Sequence, residues 1–378
     1  FCHFKLCMKN KGPDCTVKFK DDWSYLSDTF IFPRSIILSD LNNDDQIDIG
    51  FAEMWTNDLI ILLAQGNRTF SFEIRNSMSF YYFPLENLLI SDINNDGKLD
   101  IVVVDVYFGC LGVLFGNGDG TFQMEPIITY VLLMNTLLFP IAISHLNNDT
   151  YLDIVLIDSP SRMCIYTGDG NGMFLLEIVL NIGTFNWIQS ISTYDLNNDG
   201  YQDISIIDSI NRYIGFFFGY GNLTFEPLKT VFTGGNLNPN SMLLADFNND
   251  TLLDIFIGYY SNKLRLLLDS TNETFEITKL IYLNESSEIR LISTNDLNKD
   301  GHLDILIDMS LSYGIYILYG DGHGHFSIET SFLIDIPSTS TWANVADFNN
   351  DGYEDILILE QISGQMIIFF NTNNCNSN

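Results

Sequence analysis

Basic residues are scarce in this sequence. Its 378 residues include 17 Lys and Arg against 48 Asp and Glu, which gives a formal net charge of −31. Nucleic acids and anionic membrane surfaces are bound through basic faces, so this balance argues against both as partners. Hydrophobic residues still make up 46% of the chain, which is too apolar for a disordered acidic protein. The sequence therefore predicts a folded protein whose many carboxylates serve a purpose.

Long apolar runs and paired metal-type cysteines are also missing. The longest apolar stretches, residues 101–115 and 130–143, are interrupted by polar residues, glycine or proline and fall short of the roughly 18 residues of a membrane span. No Cys-x-x-Cys spacing indicates a zinc site. The chain opens at Phe1 without a basic and apolar leader, and we interpret it as mature or trimmed. We expect no membrane insertion.

Cysteines and glycosylation sequons indicate the compartment. Six cysteines and six Asn-x-Ser/Thr sequons favour an oxidising, secretory setting, so we expect a secreted protein or the ectodomain of a larger one. Cys110 and Cys164 occupy nearly equivalent places in adjacent repeats, and they either pair or remain buried free thiols. A disulfide could also tie the termini together, from Cys2, Cys7 or Cys15 to Cys375. The sequons begin at Asn67, Asn148, Asn222, Asn249, Asn272 and Asn284.

An internal repeat determines the predicted fold. A ten-residue segment such as Asp92-Ile-Asn-Asn-Asp-Gly-Lys-Leu-Asp-Ile101 occurs seven times, and successive copies start 50 to 53 residues apart. Repeats of this period form solenoids, propellers or arrays. Short β-type runs flank each copy, a third apolar run follows, and no segment has a sustained helical period. We therefore predict an all-β, seven-bladed β-propeller with four-stranded antiparallel blades.

Two further features of the blades follow from the sequence. The last repeat ends after its third strand, and residues 15–20 could supply the fourth, which closes the propeller by pairing N- and C-terminal strands. We expect a Cys-containing segment over residues 1–15, the propeller over 16–371 and a tail over 372–378. In the other repeats, the fourth strand is predicted to start at Phe70, Phe122, Phe174, Phe225, Phe275 and Phe326.

The repeated segment has the composition of a calcium loop. Positions 1, 3, 5 and 9 are Asp, Asn, Asp and Asp in six of seven copies, and position 6 is Gly in four. Calcium takes six to eight oxygen ligands, which alternate residues of a tight loop and the backbone carbonyl of position 7 can supply. We therefore predict up to seven Ca²⁺ ions. The predicted ligands are Asp40, Asn42, Asp44, Gln46, Asp48, Asp92, Asn94, Asp96, Lys98, Asp100, Asn147, Asp149, Tyr151, Asp153, Asp195, Asn197, Asp199, Tyr201, Asp203, Asp246, Asn248, Asp250, Leu252, Asp254, Asp296, Asn298, Asp300, His302, Asp304, Asp347, Asn349, Asp351, Tyr353 and Asp355.

Alternatives to a calcium loop are an EF-hand and a metal-free Asx turn. Position 12 is never acidic and the flanks are strands, which excludes an EF-hand. An Asx turn needs one or two Asp or Asn residues rather than three carboxylates close together. Loops 1, 3 and 5 depart from the pattern, with Asp45 or Thr at position 6. Loop 3 departs most, because it combines Thr150 with His145 at position 1.

The repeats resemble a known family. The seven acidic loops, with glycine-rich hairpins such as Phe115-Gly-Asn-Gly-Asp-Gly-Thr-Phe122, are similar to FG-GAP/VCBS repeats, including the propeller of integrin α subunits. No copy contains the Gly-Ala-Pro element, so the chain is nearer the VCBS-like branch. The resemblance covers roughly residues 35–370. It implies that the calcium loops join strands one and two on one face and that partners bind the opposite face.

The predicted partner face is rich in aromatic and polar residues. Trp23, Trp55, Trp187 and Trp342 all fall in its predicted turns or connections, where they suit sugar stacking or protein contacts, unless they pack between blades. Asp105, Asp158 and Asp208 recur after the second strand and either cap that turn or line the face.

No histidine or acidic pair forms a recognisable catalytic set. We therefore expect a non-enzymatic recognition or adhesion module for a protein or glycan. The alternatives are a lectin and a polysaccharide lyase or hydrolase.

Overall fold

The computed structural model contains strands, turns and loops. It describes residues 19–26, 33–53, 58–66, 68–70, 74–77, 87–105, 110–123, 126–130, 140–159, 161–183, 185, 187–270, 274–278, 280–283, 288–309, 314–327, 334–335, 341–360 and 365–372. Over these ranges there are thirty β-strands and no α-helix. It follows that none of the described residues belongs to a helix able to cross a bilayer.

Residues 31–230 form one compact unit that contains four antiparallel blades in chain order. The fourth blade's last strand extends two residues past this unit. Blade 1 consists of β2 (Pro33–Ser39), β3 (Asp48–Glu53), β4 (Asp58–Leu62) and β5 (Ile74–Ser77). Blade 2 consists of β6 (Asn87–Ser91), β7 (Asp100–Asp105), β8 (Cys110–Leu114) and β9 (Ile127–Tyr130). Blade 3 consists of β10 (Ile141–Ser144), β11 (Asp153–Ser159), β12 (Arg162–Gly168) and β13 (Phe174–Asn181). Blade 4 consists of β14 (Ile188–Tyr194), β15 (Asp203–Asp208), β16 (Tyr213–Phe217) and β17 (Lys229–Phe232).

Residues 1–30 and 231–378 form the second compact unit, which contains three blades. Blade 5 consists of β18 (Pro239–Ala245), β19 (Asp254–Tyr259), β20 (Lys263–Ser270), β21 (Thr274–Ile277) and the short β22 (Ile281–Tyr282). Blade 6 consists of β23 (Ile289–Asn295), β24 (Asp304–Met309), β25 (Gly314–Gly320), β26 (Phe326–Ser327) and β27 (Ile334–Asp335). Blade 7 consists of β28 (Thr341–Ala346), β29 (Asp355–Glu360), β30 (Gln365–Asn371) and β1 (Phe19–Leu26). The predicted all-β, seven-bladed propeller is confirmed.

The second and third strands of each blade carry the core. All six residues of β15 and all five of β8 are buried, because both faces of an inner strand are covered when blades pack face to face. Within the first unit, one apolar cluster joins Ile37 and Leu59 of blade 1 to Val103 of blade 2. Within the second, Phe256 of blade 5 packs with residues of blade 6. Packing of these buried strands therefore holds their ends in place, and the candidate sites lie at those ends.

The last blade closes as predicted, by pairing of an N-terminal strand with β30. That strand is β1, from Phe19 opposite Asn371 to Leu26 opposite Gln365, so it overlaps the predicted residues 15–20 at Phe19 and Lys20 and continues six residues further. Tryptophan placement also differs, since Trp23 and Trp342 lie within β1 and β28 rather than in connections between blades. Trp55 lies outside the described residues.

The fourth strands start later than predicted in three blades. Phe70, Phe122 and Phe225 make only isolated bridges, and the strands begin at Ile74, Ile127 and Lys229. The glycine-rich hairpin before each Phe ends with this single bridge, and a few residues intervene before regular pairing resumes. The start at Phe is confirmed for β13 and β26, and Phe275 is the second residue of β21.

Cys110 and Cys164 are both buried and are not joined by a disulfide, so of the two alternatives the disulfide between them is wrong. Burial, with the Asp158 carboxylate nearby, raises the pKa of the Cys164 thiol to about 12. The thiol is therefore not reactive at neutral pH. The predicted disulfide at the termini involves cysteines outside the described residues.

Candidate functional site

The acidic loops join the first and second strands of every blade, and all except loop 3 share one scheme in which the position 1 carboxylate accepts two backbone N–H groups. In loop 4, Asp195 at position 1 accepts the backbone N–H of Asp199 at 3.0 Å and of Gly200 at 2.8 Å. Asp199 at position 5 accepts the N–H of Tyr201 at 2.8 Å, and its own N–H donates to Asn197 Oδ1 at 3.2 Å. The side chains therefore fold the loop by satisfying its backbone donors.

Left-handed backbone at two positions allows this tight turn. Position 4 has φ between 56° and 61° in all seven loops, and it is Asn in every loop except loop 6, where it is Lys299. Asn adopts this region more readily than other non-glycine residues. Position 6 is also left-handed in six loops, including Thr251 at φ 73°. The Asn-Asn dipeptide at positions 3 and 4 of six loops is the sequence signal for this left-handed residue.

Aspartate at position 9 ties each loop to its blade. In all seven copies it is fully buried, and its two oxygens accept two backbone N–H groups. In blade 4 these donors are Leu196, at 2.8 Å, and Gly219 beyond the third strand, at 2.7 Å. We expected position 9 only as a closing metal ligand. Its second role as a buried acceptor was missed, because a linear pattern does not show burial.

Burial raises the pKa of these aspartates. The pKa rises to about 6 for Asp48, Asp203 and Asp254 and to about 7 for Asp304 and Asp355, although the backbone hydrogen bonds partly oppose the increase. The carboxylates at positions 5 and 1 contribute to the increase by like-charge repulsion. Three acidic groups of one loop therefore act on each other electrostatically.

Loop 3 has a different arrangement. His145 replaces the position 1 carboxylate, and its Nδ1 lies 2.9 Å from the backbone oxygen of Tyr151, as a donor to that carbonyl. Thr150 at position 6 does not have a positive φ, in contrast to Thr251 of loop 5. This loop has no carboxylate at position 1, and the backbone carbonyl of Tyr151, a predicted ligand, already accepts a hydrogen bond from the imidazole.

The loops contain oxygen donors of the kind that calcium prefers, namely carboxylates, an Asn amide and backbone carbonyls. Within the described residues, however, no three His, Cys, Asp or Glu side chains converge as ready metal ligands. The exposed aspartates bond to their own loop instead. The chemistry of the donor set fits a hard divalent cation, and the predicted ligands remain predictions.

Apolar side chains are exposed at the other end of blade 4. Ser209 donates its N–H to the Trp187 oxygen at 2.9 Å, so Trp187 lies beside the turn after β15, opposite the acidic loop. Trp187 is 49% exposed and Ile210 53% exposed, and Tyr213 follows on the same turn. Four tryptophans were predicted on the partner face, and Trp187 is the one whose side chain is among the described residues.

The aspartates that were predicted to follow the second strand lie at the end of that strand, and they mainly hold turns. Asp208 is fully buried and accepts the N–H groups of Ile210 at 2.9 Å and Asn211 at 3.0 Å. Asp158, also buried, binds Arg162 Nε at 2.7 Å and forms a second bond with the same guanidinium. For these two, the turn-capping alternative holds. The side chain of Asp105 is outside the described set.

Comparisons with known proteins agree with this architecture. A family model described as an FG-GAP-like repeat matches residues 40–103, 145–206, 246–307 and 309–358, which is more than half of the chain. No curated protein matches the sequence.

Among solved structures, a lectin from Agrocybe aegerita, described as recognising non-reducing terminal N-acetylglucosamine, is 18% identical with a TM-score of 0.61, and the match covers 87% of this chain and 85% of that one. BBS1N in complex with ARL6DN is 11% identical with a TM-score of 0.60, covering 93% and 97%. Chaetomium thermophilum Raptor is 10% identical with a TM-score of 0.61, and the match covers 95% of this chain but 30% of Raptor. These identities are low, so the matches establish the fold alone.

Proposed function

The chain belongs to the FG-GAP-like repeat family, and we propose that it is an extracellular, calcium-stabilised recognition module that binds a protein or glycan without catalysis. One observation carries the calcium part of this proposal. In six loops, the fully buried aspartate at position 9 is close to the carboxylates at positions 5 and 1, and repulsion from both helps to raise its pKa. A bound cation would relieve this repulsion.

The residues at positions 1, 3, 5 and 9, with the position 7 carbonyl, would hold the ion. Calcium would supply positive charge that neutralises the carboxylates and stiffens the turn. We expect this in loops 1, 2, 4, 5, 6 and 7. Loop 3 should bind weakly, because His145 removes one carboxylate and occupies the Tyr151 carbonyl.

Calcium binding can be tested by counting metal ions with native mass spectrometry and by measuring Tm with calcium and with a chelator. We expect up to six ions per chain and a higher Tm with calcium, because a ligand that binds only the folded state stabilises it. Substitution of Asp300 by Ala should remove one ion, whereas His145→Asp should add one. A chain that binds no calcium, with the same Tm in both conditions, would contradict the proposal.

The recognition part rests on the exposed surface opposite the acidic loop of blade 4. Trp187, Ile210 and Tyr213 combine large apolar area with polar neighbours such as Asn211. Aromatic side chains of this kind stack on sugars and serve as anchors in protein interfaces. The similar solved propellers include one described with a glycan and one with a protein partner, so both classes remain in the proposal.

A glycan array and a pull-down with the calcium-loaded chain separate these two partner classes. Trp187→Ala should weaken either interaction strongly, because truncation of an anchor often costs more than about 2 kcal/mol. Tyr194→Ala is the matched control, since this exposed aromatic lies at the acidic-loop end of the same blade. Equal effects of both variants would contradict the assignment of the surface.

Absence of catalysis is supported by how the recurring aspartates are used. Asp158 is neutralised by Arg162 and Asp208 is bonded to a turn, so neither is arranged as a general acid or base. The alternative is a polysaccharide lyase or hydrolase. Turnover of acidic polysaccharides that disappears in Asp158→Asn or Asp208→Asn, in chains that remain folded, would support the enzyme and exclude our proposal.

A further inference from the structure

The hairpin between β16 and β17 holds a glycosylation sequon in an open arrangement. Asn222 is exposed, and its Oδ1 accepts the Thr224 N–H at 3.1 Å and also the Thr224 hydroxyl. Leu223 between them has a φ of 64°, which turns the chain sharply. Both bonds use the amide oxygen. Among the described residues, Nδ2 of Asn222 has no hydrogen-bond acceptor.

The two other sequons that the structure describes are placed differently. Asn148 and Asn249 occupy position 4 of loops 3 and 5. Nδ2 of Asn249 lies 3.3 Å from the Gly322 oxygen, to which it donates, and 3.3 Å from the His302 ring. Nδ2 of Asn148 lies 2.5 Å from the place that a Cβ on Gly221 would occupy, so it packs tightly against that glycine. A sugar on either nitrogen would displace these contacts.

We propose that Asn222 is an N-glycosylation site and that the folded chain carries little or no glycan at Asn148 and Asn249. This inference rests on the proposed extracellular function, which brings the chain into the secretory pathway. The co-reactant is an oligosaccharide linked to a lipid diphosphate. A bond forms between Nδ2 and the sugar C1, the C1–oxygen bond to the diphosphate breaks, Nδ2 loses one proton to a base, and the lipid diphosphate leaves.

The position of Asn222 also bears on recognition. A Cβ on the adjacent Gly221 would lie 2.2 Å from the Tyr201 ring, so this hairpin is beside acidic loop 4. Trp187 lies at the other end of the same blade. A glycan at Asn222 would therefore cover the acidic-loop end and leave the end with Trp187 accessible to a partner.

Blade 2 provides a matched position without a sequon. Asp119 has the place of Asn222 in its hairpin, and its Oδ1 accepts the Thr121 N–H at 3.0 Å and the Thr121 hydroxyl at 2.5 Å. Gly120, like Leu223, is left-handed. Asp119→Asn therefore creates a sequon with the same local geometry and the same exposed hairpin tip.

The test uses the full chain, secreted from a eukaryotic cell with an added signal peptide, and measures occupancy by glycopeptide mass spectrometry. We expect glycan on most copies at Asn222 and on few at Asn148 and Asn249. Thr224→Val should abolish the glycan at Asn222, Thr224→Ser should retain it, and Asp119→Asn should add one glycan. If the glycan at Asn222 is almost completely lost with Thr224→Val and fully retained with Thr224→Ser, misfolding of the variants is excluded as the cause of the loss.

The experiment distinguishes failure of the glycosylation inference from failure of the proposed calcium-binding and recognition function. An unmodified Asn222 in secreted chains that carry glycan at Asn148 or Asn249 overturns the inference, as does a chain with no glycan at any of the three. Calcium count and partner binding are measured separately on the same material, so either can fail while Asn222 is modified. Glycan at Asn222 in protein isolated from its natural source would further support the extracellular location.

Discussion

At the scale of single residues, the buried aspartate at position 9 is the main structural device of each repeat. Asp203 links the start of its loop, through Leu196, to the end of the third strand, through Gly219. A buried carboxylate is a costly choice for this role, since desolvation disfavours its charge. The cost is consistent with a second role in which the charge itself is needed, namely cation binding.

Removal of that acceptor should destabilise the chain without any metal. Asp203→Ala leaves two buried N–H groups unpaired, at roughly 1–3 kcal/mol each, which should exceed the gain from removing a buried charge. We expect a net loss of about 2 kcal/mol in unfolding free energy, measured by denaturant titration in chelator. Asp199→Ala is the control, with an expected loss below about 1 kcal/mol because its partner is exposed. Equal losses would contradict the role of position 9.

The raised pKa values predict an unusual pH dependence of stability. Folded chains hold protons on Asp48, Asp203, Asp304 and Asp355 at pH values where unfolded aspartates, with an ordinary pKa of 3.8, have lost them. In chelator, the unfolding free energy should therefore fall as pH rises from about 4 to about 7. Calcium should reduce this decrease, because it favours the ionised carboxylates. A stability in chelator that rises over this range would contradict the prediction.

Two threonines at the same loop position should respond oppositely to glycine. Thr251 has a φ of 73°, which strains a β-branched residue, whereas Thr150 does not have a positive φ. Thr251→Gly should stabilise the chain by about 1 kcal/mol, since glycine adopts this region without strain. Thr150→Gly should destabilise it by about 0.5–1 kcal/mol through chain entropy. The same sign of change in Tm for both would contradict the backbone assignment.

At the scale of secondary-structure elements, the fourth strand of blade 3 stands out. β13 has eight residues, and it forms the edge of its sheet among the described strands. Leu175 is 60% exposed and Val179 51% exposed, and Leu176 is also exposed. A long apolar edge strand is a template for pairing with other chains. Glu177 is the one charged residue within it.

Charges on this edge should reduce self-association. Leu175→Lys combined with Val179→Lys should lower aggregation during heating or refolding, because lysine on an edge opposes strand pairing. Light scattering measures the effect, and Tm should change little because both side chains are exposed. Leu244→Lys is a contrasting variant, since that buried residue of β18 should lower Tm instead. Unchanged aggregation of the β13 variant would contradict this prediction.

The sequence predicted most elements and missed their exact limits for physical reasons. Inner strands such as β8 and β15 are marked by continuous apolar residues, so the pattern found them. The start of β17 was misplaced at Phe225, because a single bridge and a strand start have the same local sequence. The double role of Asp203 depends on Gly219, sixteen residues away, and no local pattern contains that contact.

At the scale of the whole molecule, the 51-residue period was sufficient to predict seven blades, and an N-terminal closing strand was predicted, although it extends to Leu26 rather than ending at Lys20. β1 contains Asp21 and Asp22 and has no clear apolar alternation, so its pairing with β30 comes from tertiary structure rather than from propensity. Pairing protects the edge of β30, where Phe369 and Phe370 are buried.

Loss of the closing strand should therefore be severe. Deletion of residues 1–26 should lower Tm by many degrees and promote aggregation, because the edge of β30 is left without its partner. Calorimetry and light scattering measure both effects. A peptide of residues 18–27, added in excess, should restore part of the lost stability. A truncated chain with unchanged Tm would contradict the closure.

Pairing of β1 with β30 also sets a constraint on synthesis. Leu26 and its partner Gln365 are 339 residues apart, so the nascent first strand leaves the ribosome long before the strand it needs. At about 5–20 residues per second, the interval is on the order of 20–70 s. Throughout this delay the final blade has no complete sheet, and its N-terminal strand is exposed to pairing with the edge strands of other nascent chains.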